Sequence, residues 1–126
     1  MRVVLTLLLL IAVSPARADW VGVSETDTTV LYVDPSTIRK DGHLRKVWVL
    51  SNLKQRDTTG ELSRRALDEY DCAGERRRLL SISTHAEPMA AGQILLYGNT
   101  SGVAGEWNYI PPGTSFYHVL KFVCDR

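Results

Sequence analysis

Short hydrophobic runs, separated by turn residues, fill most of the chain after residue 19. Runs rich in β-branched and aromatic residues are typical of strands, and Gly, Pro, Asp and Asn between them favour turns. The segment from Leu62 to Ala73 alternates, with Tyr70 on its apolar side and Glu69 on its polar side, although Arg64 and Asp68 interrupt the apolar side. That alternation predicts a strand with one face in water. The segments in which we expect strands are 20–24, 28–33, 43–53, 62–73, 76–86 and 93–98.

Two segments depart from simple alternation. The run from His43 to Leu53 has a continuous apolar centre, which indicates a strand covered on both faces. Near the C-terminus, the spacing of the apolar residues becomes that of a helix. This segment follows a Pro-Pro-Gly stretch, and Thr114 or Ser115 can cap the start of the helix. One apolar stripe with helical spacing is formed by Phe116, Val119, Leu120, Val123 and Cys124. The pattern therefore predicts an α+β fold in which a C-terminal helix packs on one face of a sheet. On the strand from 76 to 86, we expect Leu80, Ile82, Thr84 and Ala86 to share one face.

The first residues have the pattern of a targeting segment. Arg2 precedes an apolar run over residues 3–13, and residues 16–18 read Ala-Arg-Ala. A charge, a short apolar run and a small-x-small site are typical of a secretory signal peptide. The run is shorter than the roughly 20 residues that a membrane-spanning helix needs. We therefore predict a signal peptide over residues 1–18, no transmembrane segment, and a single exported domain over residues 19–126.

Composition and charge narrow the choice of partner. The chain has 15 Lys and Arg against 14 Asp and Glu, and removing the predicted signal takes away two arginines, which leaves 13 against 14 and a net charge of −1. A near-neutral domain has no overall attraction for nucleic acid or for an anionic membrane. No cysteine lies near the predicted cleavage site as an acceptor for a lipid anchor. We expect an exported protein in the periplasm, at the cell surface or secreted.

Cys72 and Cys124 are the two cysteines of the chain. An even count in an oxidising compartment is typical of a structural disulfide, while a free reactive thiol is the alternative. Cys124 lies on the apolar stripe of the predicted helix, and Cys72 lies on the apolar side of its strand. Both sulfurs are thus expected to point into the same interior. We predict a disulfide that fixes the helix to the sheet.

Five arginines lie on the two sides of the turn that follows Cys72. They are Arg64, Arg65, Arg76, Arg77 and Arg78. One interpretation is a solvated hairpin with cross-strand ion pairs to nearby carboxylates, each of which contributes little to stability. The other is a basic surface that binds an acidic partner, and these five residues are then the candidate binding site. Nucleic acid is the poorer partner, because aromatic side chains for base stacking are not interleaved with the arginines.

Other chemistry finds little support in the sequence. His43, His85 and His118 are scattered, without a second ligand at metal-binding spacing, so we predict no metal and no cofactor. No Gly-x-Ser-x-Gly pattern and no phosphate-binding loop is present. We therefore predict a protein that is not an enzyme. Alternative functions are a periplasmic accessory or small-ligand-binding module, with an apolar pocket near Trp48 and Trp107, and an envelope protein that acts through its dimer or edge strands.

The order of these features resembles the bacterial surface-adhesin protein E-like domain, over nearly the whole predicted mature chain. The segments that carry the resemblance are residues 32–38, 47–48, 69–72, 76–81, 107, 110–113 and 123–124, with Met89 and Gly92. The resemblance implies a six-stranded antiparallel sheet whose C-terminal helix is held to the concave side by the disulfide. It also implies a Gram-negative source, host extracellular-matrix or serum proteins as partners, and a homodimer. The first hypothesis is accordingly a non-enzymatic exported binding protein similar to a surface adhesin.

Overall fold

The computed structural model describes residues 18–99 and 105–126. Residues 1–17 of the predicted signal peptide, and residues 100–104 of a predicted loop, lie outside these ranges. Within them the chain forms eight strands, a short 3-10 helix at Pro35–Thr37 and one α-helix. The elements are β1 (Val21–Glu25), β2 (Thr29–Val33), β3 (Arg39–Asp41), β4 (Leu44–Leu53), β5 (Ser63–Asp71), β6 (Arg76–His85), β7 (Ile94–Asn99), β8 (Asn108–Tyr109) and α1 (Ser115–Cys124).

All the strands belong to one antiparallel sheet. Six of them follow the order β1-β2-β4-β5-β6-β7, while the short β3 pairs with β4 and the short β8 pairs with β6. Strands that follow each other in the sequence pair wherever a tight turn joins them, because antiparallel strands need only a few connecting residues. Asp34 starts the 3-10 turn by accepting a hydrogen bond at Oδ1 from the N–H of Ser36, at 3.1 Å. The predicted α+β fold with about six strands is confirmed.

The hydrophobic core lies between α1 and one face of the sheet. The helix lies over β1, β2 and β4. Val47 and Val49 of β4 have exposed fractions of 0% and 2%, and Val119 and Val123 of α1 are fully buried against that face. Thr114 occupies the N-cap position, as expected, although its hydroxyl donates to the carbonyl of Pro111 instead of capping the helix. In the part of the chain described, no helix is long and apolar enough to cross a membrane.

A disulfide between Cys72 and Cys124 connects the end of β5 to the end of α1, as predicted. Its Cα atoms are 5.8 Å apart, which is ordinary for a disulfide. The bond closes the C-terminal end of the helix onto the sheet. No free cysteine is present in the described ranges, so the alternative of a reactive thiol is excluded.

A β-bulge changes which residues of β6 face the helix. The register between β5 and β6 shifts between Leu67 and Asp68, so that Leu79 lies opposite Asp68 and Ile82 lies opposite Ala66. An inserted residue reverses the alternation of side chains on the strand that contains it. Leu79 and Ile82, three positions apart, therefore lie on the same face of the sheet, and the expectation that Leu80 shares a face with Ile82, Thr84 and Ala86 stays a prediction. Alternation along one strand does not reveal the extra residue.

The polar face of β5 is buried, although the alternation predicts a face in water. Ser63, Glu69 and Asp71 have exposed fractions of 0%, 3% and 3%. The Ser63 hydroxyl donates to the carbonyl of Glu87 and accepts from the N–H of Ala90, so the connection between β6 and β7 covers this end of the strand. Glu69 and Asp71 form ion pairs with side chains of β6. Polar contacts, and not solvent, satisfy this face.

Candidate binding surface

The five arginines of the predicted binding site lie on both faces of the β5–β6 hairpin. Cross-strand pairing places Arg64 and Arg77 on the side of the helix, and Arg65, Arg76 and Arg78 on the opposite face. We refer to this opposite face as the outer face of the sheet. The fold brings the five residues onto two neighbouring strands, but it does not gather them into one patch. Their charges must therefore be considered separately for each face.

On the helix side, Arg77 belongs to a buried polar network. Its Nε donates to Asp68 Oδ2 at 2.9 Å and its Nη2 donates to Asp68 Oδ1 at 3.3 Å. The Tyr70 hydroxyl donates to Asp68 Oδ2 at 3.0 Å, and both of these partners of Arg77 are fully buried. Burial, followed by the charge of Asp68, raises the pKa of Tyr70 well above its usual value, which keeps the hydroxyl protonated as a donor. The guanidinium of Arg77 also stacks on Phe116 of α1, 3.9 Å from the ring centroid.

On the outer face, Arg76 and Arg78 flank the indole of Trp107. Their guanidinium carbons lie 4.9 and 4.3 Å from its ring centroid, within the range of cation–π attraction. Arg76 Nε donates to Asp71 Oδ2 at 2.8 Å, and Arg78 Nε donates to Glu69 Oε1 at 2.7 Å. Burial acts to raise the pKa of Asp71, but hydrogen bonds from the Gly74 N–H and from Arg76 lower it overall. Each guanidinium is thus held by one carboxylate and one aromatic ring.

The remaining two arginines are also engaged. Arg64 Nη2 lies 2.8 Å from Asp57 Oδ2 and 3.2 Å from Glu61 Oε1. Arg65 stacks on Trp48, with 4.0 Å between its guanidinium carbon and the ring centroid. These contacts agree with the interpretation of the hairpin as a set of ion pairs. That the arginines bind an acidic partner stays a prediction.

Trp48 and Trp107, near which the small-ligand alternative places a pocket, both lie on the outer face. Trp48 pairs with Leu67 across β4 and β5, on the side opposite the buried Val47 and Val49. The helix packs on the other face, so the space beneath it does not include either indole. Stacking on arginine, described above, is the contact that both rings make.

An exposed apolar strand lies at one end of the sheet. β7 pairs with β6 along one edge and is the last strand of the six-strand path. Ile94, Leu95, Leu96 and Tyr97 have exposed fractions of 58%, 40%, 57% and 68%. The sequence predicts a strand here but not an exposed one. Its signal was a run of large apolar residues without charge and without alternation, which also fits a buried strand.

The three histidines do not meet. His43 lies on the surface with Nε2 3.6 Å from Asp71 Oδ1, while His85 is buried with Nε2 2.8 Å from the Ser83 hydroxyl oxygen. Burial, followed by the charge of Arg65, lowers the pKa of His85. Among residues 18–99 and 105–126, no group of three or more His, Cys, Asp or Glu side chains could hold a metal ion.

Comparison with known proteins identifies the family. Structures of Haemophilus influenzae protein E share the fold: crystal form II has a TM-score of 0.65 and 15% identity, with coverage of 87% of this chain and 90% of that chain. A second structure of the same protein has a TM-score of 0.64 and 15% identity, with coverage of 87% of this chain and 86% of that chain. The structure of protein E from non-typeable Haemophilus influenzae has a TM-score of 0.61 and 15% identity, with coverage of 87% of this chain and 78% of that chain. No curated protein matches the chain. The model of the family described as surface-adhesin protein E matches residues 20–125, which confirms the resemblance seen in the sequence. The chain therefore belongs to the surface-adhesin protein E family.

Proposed function

We propose that this chain is an exported, non-enzymatic binding protein of the bacterial surface, and that its partner is a protein. Membership of an adhesin family supports this function. The observation that carries it is the exposed apolar strand β7. Monomeric soluble proteins seldom leave a contiguous apolar area of this kind uncovered, and such areas mark interaction sites. Host extracellular-matrix and serum proteins are the partners that the adhesin resemblance suggests.

The edge of β7 offers a second source of affinity besides its side chains. A strand at the end of a sheet presents backbone N–H and C=O groups that an extended segment of another chain can pair with. Natural proteins usually protect such edges with lysine, proline or a bulge in the strand. The segment Ile94–Asn99 contains no charged residue and no proline. The register between β6 and β7 shifts between Thr84 and His85, which pair with Leu96 and Ile94, so a bulge lies at the start of β7. The regular part of the strand beyond this bulge, residues 96–99, is the part suited to strand addition.

The experiment is a binding assay of the purified domain on immobilised extracellular-matrix and serum proteins. We expect Leu96→Lys to weaken binding at least about tenfold, because it puts an edge-protecting charge in the centre of β7. Lys54→Gln is the control, since it changes an exposed charge far from β7 in sequence. Equal binding of all three proteins, or binding by none, would contradict the proposed function.

The five hairpin arginines are the rival contact surface for the same function. Arg76 and Arg64 have side chains 46% and 38% exposed, so they are the members most available to an acidic partner. If they bind, reversal of these charges abolishes binding and high salt weakens it, because salt screens exposed charges. Binding that persists in high salt but is lost in Leu96→Lys assigns the contact to β7 instead.

A second copy of the chain is another occupant that β7 would accept. Two β7 strands paired antiparallel about a two-fold axis bring no like charges opposite each other. Sedimentation at increasing protein concentration tests this homodimer, and Leu96→Lys should abolish any self-association through the strand.

A further inference from the structure

One carboxylate oxygen beside β7 lacks a partner. Glu61 is buried, with an exposed fraction of 6%. Its Oε1 accepts hydrogen bonds from the Thr59 hydroxyl at 2.7 Å and from Arg64 Nη2 at 3.2 Å. Its Oε2 is buried without a hydrogen-bond partner among the residues that the structure describes. A buried polar atom of this kind is uncommon and calls for a donor.

Glu61 lines a cavity that reaches the open edge of the sheet. The cavity has a volume of about 190 Å³ and is bounded by Thr59, Thr84, Leu95 and Leu96 in addition to Glu61. The two leucines belong to β7, and Thr84 pairs with Leu96 across β6 and β7. The cavity is thus polar at Glu61 and apolar towards the edge. That combination fits a long side chain with an aliphatic stem and a charged end.

The charge around the cavity favours a cation. The guanidinium of Arg64 is shared between Glu61 and Asp57, so one positive charge faces two negative ones. Nearby, Arg56 Nη2 lies 4.0 Å from Glu87 Oε1, and this pair adds no net charge. Hydrogen bonding from Arg64, which outweighs burial, lowers the pKa of Glu61, so the carboxylate is ionised at neutral pH. An incoming ammonium or guanidinium group would restore the balance.

We propose that an extended segment of the partner protein adds to the open edge of β7 and places a lysine or arginine side chain in this cavity, against Glu61. The inference rests on the proposed function and names the chemistry of the partner. Neighbouring strands are about 4.8 Å apart, and the cavity extends inward past β7 to Thr84 of β6, so a short side chain does not reach it. A second copy of the chain does not meet this requirement through β7, because Ile94–Asn99 contains no basic residue.

The test uses synthetic peptides as the probe. Ten-residue peptides of alternating threonine and valine, acetylated, amidated and fluorescently labelled, carry one lysine at successive positions, which covers every register. Binding to the domain is followed by fluorescence anisotropy. We expect at least one register to bind about tenfold more tightly than the same peptide with glutamine in place of lysine.

Two variants assign that preference to the cavity. Glu61→Gln should remove the preference for lysine, so that both peptides bind alike. Asp57→Asn is the matched control, because Asp57 pairs with the same guanidinium but does not line the cavity. It should keep the full preference. On the wild-type protein, the chemical shift of the Glu61 side-chain carboxyl carbon should change with the lysine peptide and not with the glutamine peptide, which remains informative if a variant does not fold.

Three results would overturn the inference. The first is a preference for lysine that survives Glu61→Gln, together with a Glu61 carboxyl signal that does not move in the wild-type protein. The second is equal affinity for the lysine and the glutamine peptides. The third is no peptide binding at all. Equal affinity for both peptides with loss of binding in Leu96→Lys would leave the proposed function intact and reject the cationic partner alone. Self-association that Leu96→Lys abolishes, without peptide binding, would show that a second copy covers β7.

Discussion

At the scale of single residues, the hairpin arginines show how a sequence rich in charge produces a polar interior. Asp68 is fully buried and Glu69 nearly so, yet each faces a guanidinium of the opposite strand. Burying an unpaired carboxylate is very unfavourable, whereas a carboxylate with two charge-assisted hydrogen bonds is tolerated. The arginines of this hairpin therefore act first within the fold.

The Arg77–Asp68–Tyr70 network gives a prediction about stability. Asp68→Asn should lower the free energy of unfolding by about 3 kcal/mol, because it leaves the largely buried guanidinium of Arg77 without its charge partner. Tyr70→Phe should lower it by about 1 kcal/mol, since one hydrogen bond is removed. Urea denaturation measures both. The control is Glu25→Gln, which breaks an exposed ion pair with Lys54 and should change stability by less than about 1 kcal/mol. Equal effects of Asp68→Asn and Glu25→Gln would contradict the prediction.

His85 gives a prediction about pH. Its pKa is lowered in the folded protein, first by burial and then by Arg65, from an ordinary value of 6.5. Below pH 6.5 the unfolded chain therefore binds more protons at this residue than the folded chain does. The stability that the neutral imidazole contributes is present above pH 6.5 and is lost as the pH falls towards the folded pKa. The melting temperature should drop from pH 7.5 to pH 5.5, and His85→Gln should reduce that drop. A drop of the same size in His85→Gln would assign it to other groups.

At the scale of elements, the sequence predicts what depends on local pattern. The six strand segments and the helix were found because period and turn chemistry are local, and the Cys72–Cys124 disulfide followed from two independent apolar patterns. The bulge near Leu80 and the buried polar face of β5 were not predicted, because both depend on what lies across the strand. The apolar run at Ile94 gave a strand correctly, but no local pattern says that this strand would end the sheet. The sequence therefore indicates the hairpin arginines, and not β7, as the candidate binding surface.

The disulfide gives the prediction that belongs to the elements. It joins residues 52 positions apart, and the chain-entropy relation gives a loss of about 4 kcal/mol of stability for its removal. Cys72→Ser combined with Cys124→Ser should lower the melting temperature by on the order of 20 °C. The wild-type protein under reducing conditions is the matched comparison and should melt at a similar temperature. An unchanged melting curve in both cases would show that packing alone holds α1 on the sheet.

At the scale of the whole molecule, the two ends of β6 have different surroundings. At the hairpin end, β6 pairs with β8, and its arginines are held by carboxylates and aromatic rings. The disulfide ties Cys72, which follows β5 at the same end, to α1. At the other end, β6 pairs with β7, whose apolar side chains are exposed. A closed end and an open end on one sheet are what a binding module needs: a scaffold that keeps its shape and an edge that accepts a partner.

Exposure of that edge to a host protein requires that the domain lie outside the outer membrane. We expect a protease that cannot cross this membrane to remove the protein from intact cells, as judged by immunoblot, while a periplasmic marker protein stays intact. The closed end should resist longest, because local opening is least favourable where ion pairs and the disulfide hold the chain. The Leu96→Lys variant is the control for export, since it should be lost at the same rate although its binding is weakened. If the protein survives on intact cells and is cleaved only after outer-membrane lysis, the domain is periplasmic, and the partner for β7 must be sought among proteins of the envelope.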